Sequence, residues 1–144
     1  MDVDNLNECL RDELSACETY RQALDKYRDE YSSDARFQQL SQMLHDHEES
    51  AIKLRELVRQ QGGTPVTDSG AWGTWSKTVM GTAKLFGDTA ALKALKEGEE
   101  SGIEDYQEVI DDDETAPTVR DMVREAMARN QAYVRQLDGL MSRT

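Results

Sequence analysis

Four long stretches of this sequence repeat an apolar residue at alternating steps of three and four. That is the spacing of helices packed along the seams of an antiparallel bundle. Prolines number only two and glycines nine, so long stretches are free of helix breakers. The pattern predicts an all-α antiparallel four-helix bundle with helices over about 4–31, 34–61, 89–111 and 116–141. The first helix carries the most regular stripe: Val3, Leu6, Leu10, Glu13, Cys17, Tyr20, Leu24, Tyr27 and Tyr31.

Turn and capping residues separate these stretches into two helical hairpins. Asp4 and Asp34 are good N-caps, Gly62 to Pro65 ends the second helix, and Thr115 with Pro117 marks the start of the fourth. Residues 62–88 form a long crossover, within which 71–86 is predicted to make a short helix. Its large apolar residues are expected to cover one end of the bundle: Trp72, Trp75, Met80 and Phe86. A length of 144 residues suits one domain over 1–144.

Composition excludes several classes of function. The net charge of −12 argues against binding to nucleic acid or to anionic lipid. No apolar run approaches the roughly 18–20 residues that cross a bilayer, and the first residues lack the pattern of a signal peptide. We therefore expect a cytoplasmic protein. Cys9 and Cys17 lie eight residues apart in one predicted helix, roughly 12 Å, which is too far for a mutual disulfide.

Each stripe is interrupted by one polar residue near the middle of its helix: Glu13, His47, Glu99 and Asn130. Tyr20, Tyr106 and Tyr133 lie on the same faces. Because mid-helix positions of antiparallel helices meet at one height, these four side chains are predicted to face one another in the core.

Two buried carboxylates need a partner, since burial of an unpaired charge is costly. A single divalent metal (iron, manganese or zinc) would be satisfied by Glu13, His47 and Glu99 as ligands. Protonated His47 would equally satisfy both glutamates by lying between them. Tyrosine hydroxyls and Asn130 would satisfy a glutamate that keeps its proton. The sequence leaves these three alternatives open.

The first helix contains a motif with a family likeness. Leu6-Asn7, Leu10, Glu13-Leu14, Ala16 and Tyr20 spell LNxxLxxELxAxxxY, which resembles the first helix of bacterioferritins. The turn at 63–65 is similar to that of bacterioferritin and rubrerythrin chains. With Gly98-Glu99-Glu100, the resemblance is narrower still, to a bacterial ferritin-like four-helix-bundle family that is labelled only as a domain of unknown function. It extends over nearly the whole chain.

The resemblance implies a degenerate metal site. In di-iron members the first and third helices each give one Glu, and the second and fourth each give an ExxH motif. The two single glutamates match Glu13 and Glu99. The ExxH positions match His47 with Ser50, and Asn130 with Tyr133, so both bridging carboxylates are missing. The resemblance therefore implies no ferroxidase activity of the usual kind.

Three hypotheses follow. The first is a ferritin-like bundle of accessory, stress-associated role with a degenerate di-metal site. The second is a mononuclear or non-standard dinuclear metalloprotein that handles oxygen or peroxide, with Glu13, His47 and Glu99 as ligands and Asn130 or water completing the shell. The third is a homodimeric interaction module. Leu14, Ala23 and Leu57 flank the seams, and the sequence leaves open whether they widen a dimer contact or belong to the boundary of the core.

Overall fold

A computed structural model of the chain describes residues 3–31, 33–68 and 89–142. These residues form four helices: α1 (Val3–Tyr31), α2 (Ala35–Gln60), α3 (Thr89–Asp111) and α4 (Pro117–Met141). They contain no strand, so the all-α prediction is confirmed. The predicted short helix at 71–86, with its two tryptophans, lies outside the described residues, as do the side chains of Tyr27 and Tyr31.

The helices pack as two hairpins. α1 packs along α2 and α3 packs along α4, while α1 also packs against α3. Of the four helix pairs that contact each other, α2 and α4 make the fewest close approaches. Neighbouring helices run antiparallel, since Leu6 shares a cluster with Val58 at one end and Leu24 shares one with Phe37 at the other.

The helix ends follow mostly from their capping residues. Asp34 caps α2 by accepting a hydrogen bond from the Arg36 backbone N–H at 2.8 Å. Gly62 takes a positive φ of 82°, which a residue with a Cβ rarely adopts, and so ends α2 in the predicted way. α1 already begins at Val3, so Asp4 lies in its first turn and is not the N-cap that the sequence predicted. At α4 the cap is Ala116, whereas the Thr115 hydroxyl donates back to the Val109 carbonyl at 2.8 Å.

Arg120 explains how α3 tolerates an acidic C-terminus. A carboxylate run opposes the helix dipole there, and the sequence places Asp111 to Glu114 at that end. The Arg120 guanidinium donates to the carbonyls of Ile110 (3.1 Å) and Asp112 (2.9 Å). A cation from α4 therefore covers the free carbonyls at the end of α3.

Asn7 fixes the start of the crossover to α1. Its side-chain amide donates to the Thr64 carbonyl, and its side-chain oxygen accepts from the Val66 N–H, both at 3.0 Å. Gly63 lies between them and Val3, so close that a Cβ on Gly63 would be 2.3 Å from a Val3 methyl. The asparagine of the LN motif and the glycine of the turn thus belong to one packed corner.

The apolar core consists of two clusters with a polar layer between them. One cluster contains Leu24, Phe37 and Leu95, and the other contains Leu10, Leu54 and Val109. Between them lie the four predicted polar side chains, each at most 4% exposed: Glu13, His47, Glu99 and Asn130. The sequence therefore identified the layer correctly.

Some stripe assignments need correction. The apolar spacing in the second and fourth helices predicts Leu44 and Met122 as seam residues. Instead Met43 is buried while Leu44 is only partly buried, and Met122 is 38% exposed. Ala23 (2% exposed) and Leu57 (7% exposed) belong to the core, which is the second of the two alternatives for them. Both cysteines are free and buried, as expected. None of the described helices is long and apolar enough to cross a membrane.

Candidate functional site

His47 lies between two buried glutamates contributed by different helices. Its Nδ1 is 2.5 Å from Glu13 Oε2 on α1, and its Nε2 is 2.5 Å from Glu99 Oε1 on α3. All three side chains are almost fully buried. Both ring nitrogens therefore face carboxyl oxygens, an arrangement that suits an imidazolium with a donor on each nitrogen.

Two tyrosines extend this chain of hydrogen bonds at its ends. The Tyr106 hydroxyl donates to Glu13 Oε1, and the Tyr20 hydroxyl donates to Glu99 Oε1 at 2.9 Å. We call Tyr106, Glu13, His47, Glu99 and Tyr20 the core network. Its two ends differ, because both Glu13 oxygens are bonded whereas Glu99 Oε2 is buried without a hydrogen bond.

The rings of two tyrosines flank the His47 imidazole. The Tyr20 ring is tilted by 30° with its centroid 5.5 Å away, and the Tyr133 ring meets it edge-on at 5.8 Å. The Tyr133 hydroxyl, however, donates to Asp46, not to the network. The seam periodicity did not identify Asp46, because this residue lies next to His47 and outside the seam pattern. The Tyr20 hydroxyl also donates to the Met43 sulfur, a weak acceptor on α2, at 3.5 Å.

Asn130 and Ser50 are buried near the network without joining it. Neither makes a hydrogen bond to Glu13, His47 or Glu99 in the part of the chain that the structure describes. Asn130 instead lies against Gly102 on α3, where a Cβ would be 2.8 Å from its Nδ2. The absence of a side chain at Gly102 therefore makes room for the Asn130 amide.

The charges in the network follow from burial and proximity. Burial lowers the pKa of His47, but the negative charges and hydrogen bonds of Glu99 and Glu13 outweigh it and hold that pKa well above its usual value. Burial raises the pKa of Glu99, and the attraction of His47 offsets this only in part. Burial, followed by the nearby carboxylates, also raises the pKa values of Tyr20 and Tyr106. His47 is therefore a cation at neutral pH, and both tyrosines keep their protons.

The donor atoms do not converge on one point. Nδ1 and Nε2 lie on opposite sides of an imidazole, so a metal bound to one nitrogen cannot also bind the carboxylate that faces the other. Among the described residues, no group of three or more His, Cys, Asp or Glu side chains is arranged to hold a metal ion. A metal bound to His47 would have to replace one of its two hydrogen bonds.

Comparison with known proteins gives a family without an assigned activity. No curated protein and no solved structure matches the chain. A family model described as a domain of unknown function, DUF2383, matches residues 1–112. The match spans α1, α2 and α3 and so includes Glu13, His47 and Glu99, but it ends before α4 and Asn130. The chain belongs to the DUF2383 family of domains of unknown function.

Proposed function

We propose that this protein is a ferritin-like bundle in which the core network takes the place of a di-metal site, and that it acts in an accessory role without ferroxidase turnover. The observation that carries the proposal is the engagement of both His47 nitrogens by Glu13 and Glu99. The ferritin-like part rests on the first-helix motif and the turn at 63–65. The stress-associated setting is what that resemblance implies.

The physical argument concerns what neutralises the buried carboxylates. Two metal ions in such a site need several carboxylates to balance their charge, and within residues 3–31, 33–68 and 89–142 the buried glutamates beside His47 are Glu13 and Glu99. An imidazolium supplies one positive charge and two directed donors without any metal. A cationic ring has no lone pair for coordination, so the protonated network and a metal compete for the same atoms.

Metal analysis of protein purified without chelator tests the proposal. We expect far less than one iron, manganese or zinc ion per chain, and no oxygen-dependent oxidation of added Fe²⁺ above the rate in buffer. Two irons per chain together with peroxide consumption would overturn it. Protein refolded with excess Fe²⁺ and Mn²⁺ serves as the control for metal lost during purification.

A ligand-restoring variant tests the ferritin-like alignment separately. His47→Glu and Ser50→His rebuild one ExxH motif, and Asn130→Glu with Tyr133→His rebuild the other. We expect the fourfold variant to bind more Fe²⁺ per chain than the wild type. If it folds, as judged by circular dichroism, and binds no more metal than the wild type, the alignment with di-iron bundles is wrong.

A second candidate is a mononuclear metalloprotein that handles oxygen or peroxide. It is favoured by Glu99 Oε2, a buried oxygen that lacks a hydrogen bond. If the His47–Glu99 contact opened, His47 Nε2 and Glu99 would hold the ion. Glu13 would then accept a hydrogen bond from Nδ1–H, an arrangement common around metal-bound histidines. This candidate predicts that His47→Ala lowers the metal content, and an unchanged metal content would exclude it.

A further inference from the structure

A small cavity lies between α2 and α4, where the bundle is least tightly packed. Its volume is about 40 Å³. Tyr106 and Ser50 contribute uncharged polar groups to its lining, which also contains charged side chains and apolar ones such as Val123 and Ala126. The cavity therefore lies against the Tyr106 end of the core network.

The size and lining of the cavity restrict its occupant. A volume of 40 Å³ has room for about two or three water molecules. Ser50 is 93% buried, since its exposed fraction is 7%, and its hydroxyl makes no hydrogen bond to another described residue. A hydroxyl on the cavity lining that has no described protein partner favours an occupant that forms hydrogen bonds.

The charges around the cavity argue against a metal ion. Lys53, Arg129 and Glu125 lie on its lining, so positive charges outnumber negative ones. A small anion is disfavoured on the inner side, because Tyr106 donates its proton to Glu13 and has none to offer. What remains is a neutral polar molecule of the size of water.

The two ends of the core network differ in their access to this cavity. Tyr106 lines it, whereas Tyr20 contacts Met43 within the other apolar cluster, and neither of these two residues lines it. A proton from the cavity would reach Glu13 through the Tyr106 hydroxyl and then Nδ1 of His47. Neither Glu99 nor Tyr20 lines this cavity, so it offers no such route to Nε2.

We propose that the cavity between α2 and α4 is a solvent port: a binding site for two or three water molecules, or a neutral solute of that size, which connects Tyr106 and the Glu13 side of His47 to solvent. Exchange through the port moves no net charge. The proton that leaves Nδ1 of His47 passes through Glu13 and Tyr106 to cavity water, and a solvent proton returns to Nδ1 by the same route. The port rests on the hydrogen-bonded core network of the proposed function, and it does not depend on the proposed lack of turnover.

Hydrogen exchange at the two ring nitrogens of His47 tests the port. The sequence contains two histidines, and His45 is exposed, so ¹⁵N-labelled histidine makes the His47 N–H signals simple to assign. In D₂O we expect the Nδ1 proton to exchange about tenfold or more faster than the Nε2 proton, because local access precedes global unfolding. Equal rates at both nitrogens would overturn the port.

Two variants strengthen the test. Ala126→Leu fills the cavity and is expected to slow exchange at Nδ1 towards the rate at Nε2, which should stay unchanged. Ala128→Leu makes the same change at an exposed position of α4 and serves as the matched control. Ser50→Ala adds no volume, so it keeps the test valid if Ala126→Leu fails to fold, and it should also slow Nδ1 exchange by removing the polar anchor.

Failure of the port and failure of the core network give different results. If the core network is intact, the Nε2 proton stays visible, because the cavity does not reach the Glu99 end of the network. Absence of both ring N–H signals at low temperature would mean that His47 is not the doubly hydrogen-bonded cation, which overturns the network and the port together. If both N–H signals are visible but the Nδ1 exchange rate is the same in the wild type and in Ala126→Leu, the port is overturned and the core network stands.

Discussion

Glu13 Oε2 lies 2.5 Å from Nδ1 of His47 in a part of the core where both side chains are about 2% exposed. The pair joins α1 to α2, and Glu99 on α3 completes the connection at the opposite ring nitrogen. Three of the four helices are thus held at one height by a single imidazole. The stability of the bundle should therefore depend on that ring.

Removal of the ring should be strongly destabilising. We expect His47→Leu to lower the free energy of unfolding by about 3–5 kcal/mol, because it leaves two carboxyl groups buried without their cation. Urea denaturation followed by circular dichroism measures the change. The triple variant Glu13→Leu, His47→Leu and Glu99→Leu is the control, and it should lose less than the single variant because no charge remains buried. A larger loss in the triple variant would contradict this explanation.

Stability should fall as the pH rises above neutrality. The folded-state pKa values of His47 and Glu99 are both raised, so the folded state holds protons that the unfolded chain releases. Each contribution is complete below the unfolded pKa and is lost as the pH rises through the folded pKa. The melting temperature is therefore expected to decrease as the pH rises above about 6.5, the ordinary pKa of an unfolded histidine.

Asp12 also contributes to the loss of stability with rising pH, and its contribution can be removed by substitution. Burial, together with a hydrogen bond and the like charge of Asp105, raises its pKa to about 9. Asp12→Asn removes this titration without changing the size of the side chain. The slope of melting temperature against pH should become shallower in the variant, and a slope equal to that of the wild type would show that Asp12 does not hold its proton in the folded state.

The contact between Gly102 and Asn130 should reverse the usual effect of alanine in a helix. Gly→Ala at a helix interior normally stabilises by about 0.5–1 kcal/mol. At Gly102 the added Cβ would meet Asn130 Nδ2 at 2.8 Å, so Gly102→Ala should instead destabilise by about 1–3 kcal/mol. Thermal denaturation of the purified variants shows whether each substitution stabilises or destabilises the fold.

Two matched variants test this explanation of Gly102. Gly139→Ala lies in α4 with no atom within 4 Å of the added Cβ, so it should show the ordinary stabilisation. In an Asn130→Ala background, Gly102→Ala should also become neutral or stabilising. If the double variant were as unstable as Gly102→Ala alone, the clash with Asn130 would not be the cause.

Asn7 should stabilise the start of the crossover locally. Asn7→Ala removes hydrogen bonds to Thr64 and Val66, each worth about 0.5–1.5 kcal/mol. Amide hydrogen exchange at Val66 is the direct measurement, and it should accelerate because the N–H loses its acceptor. Asn5→Ala, two residues earlier in α1, is the control. Equal exchange at Val66 in both variants would contradict the role of Asn7.

The positions of the helices were predictable because their signals are local. The stripe periodicity and the residues at Asp34, Gly62 and Pro117 place each helix end within a residue or so of the structure. The first-helix motif pointed to Glu13 without showing why Asn7 accompanies it. Its bonds to Thr64 and Val66 join residues 57 and 59 positions apart, and no local pattern reports such a distance.

The sequence by itself determined that a polar layer of Glu13, His47, Glu99 and Asn130 would interrupt an apolar core, since seam periodicity fixes which face of each helix is buried. Only the tertiary structure decided how that layer is satisfied. The relative rotation of α1, α2 and α3 places carboxyl oxygens on both sides of one imidazole, and the close approach of α4 to Gly102 directs Asn130 away from it. Periodicity gives the height and face of a side chain, but the few tenths of an ångström that separate a hydrogen bond from a metal ligand depend on how the helices pack.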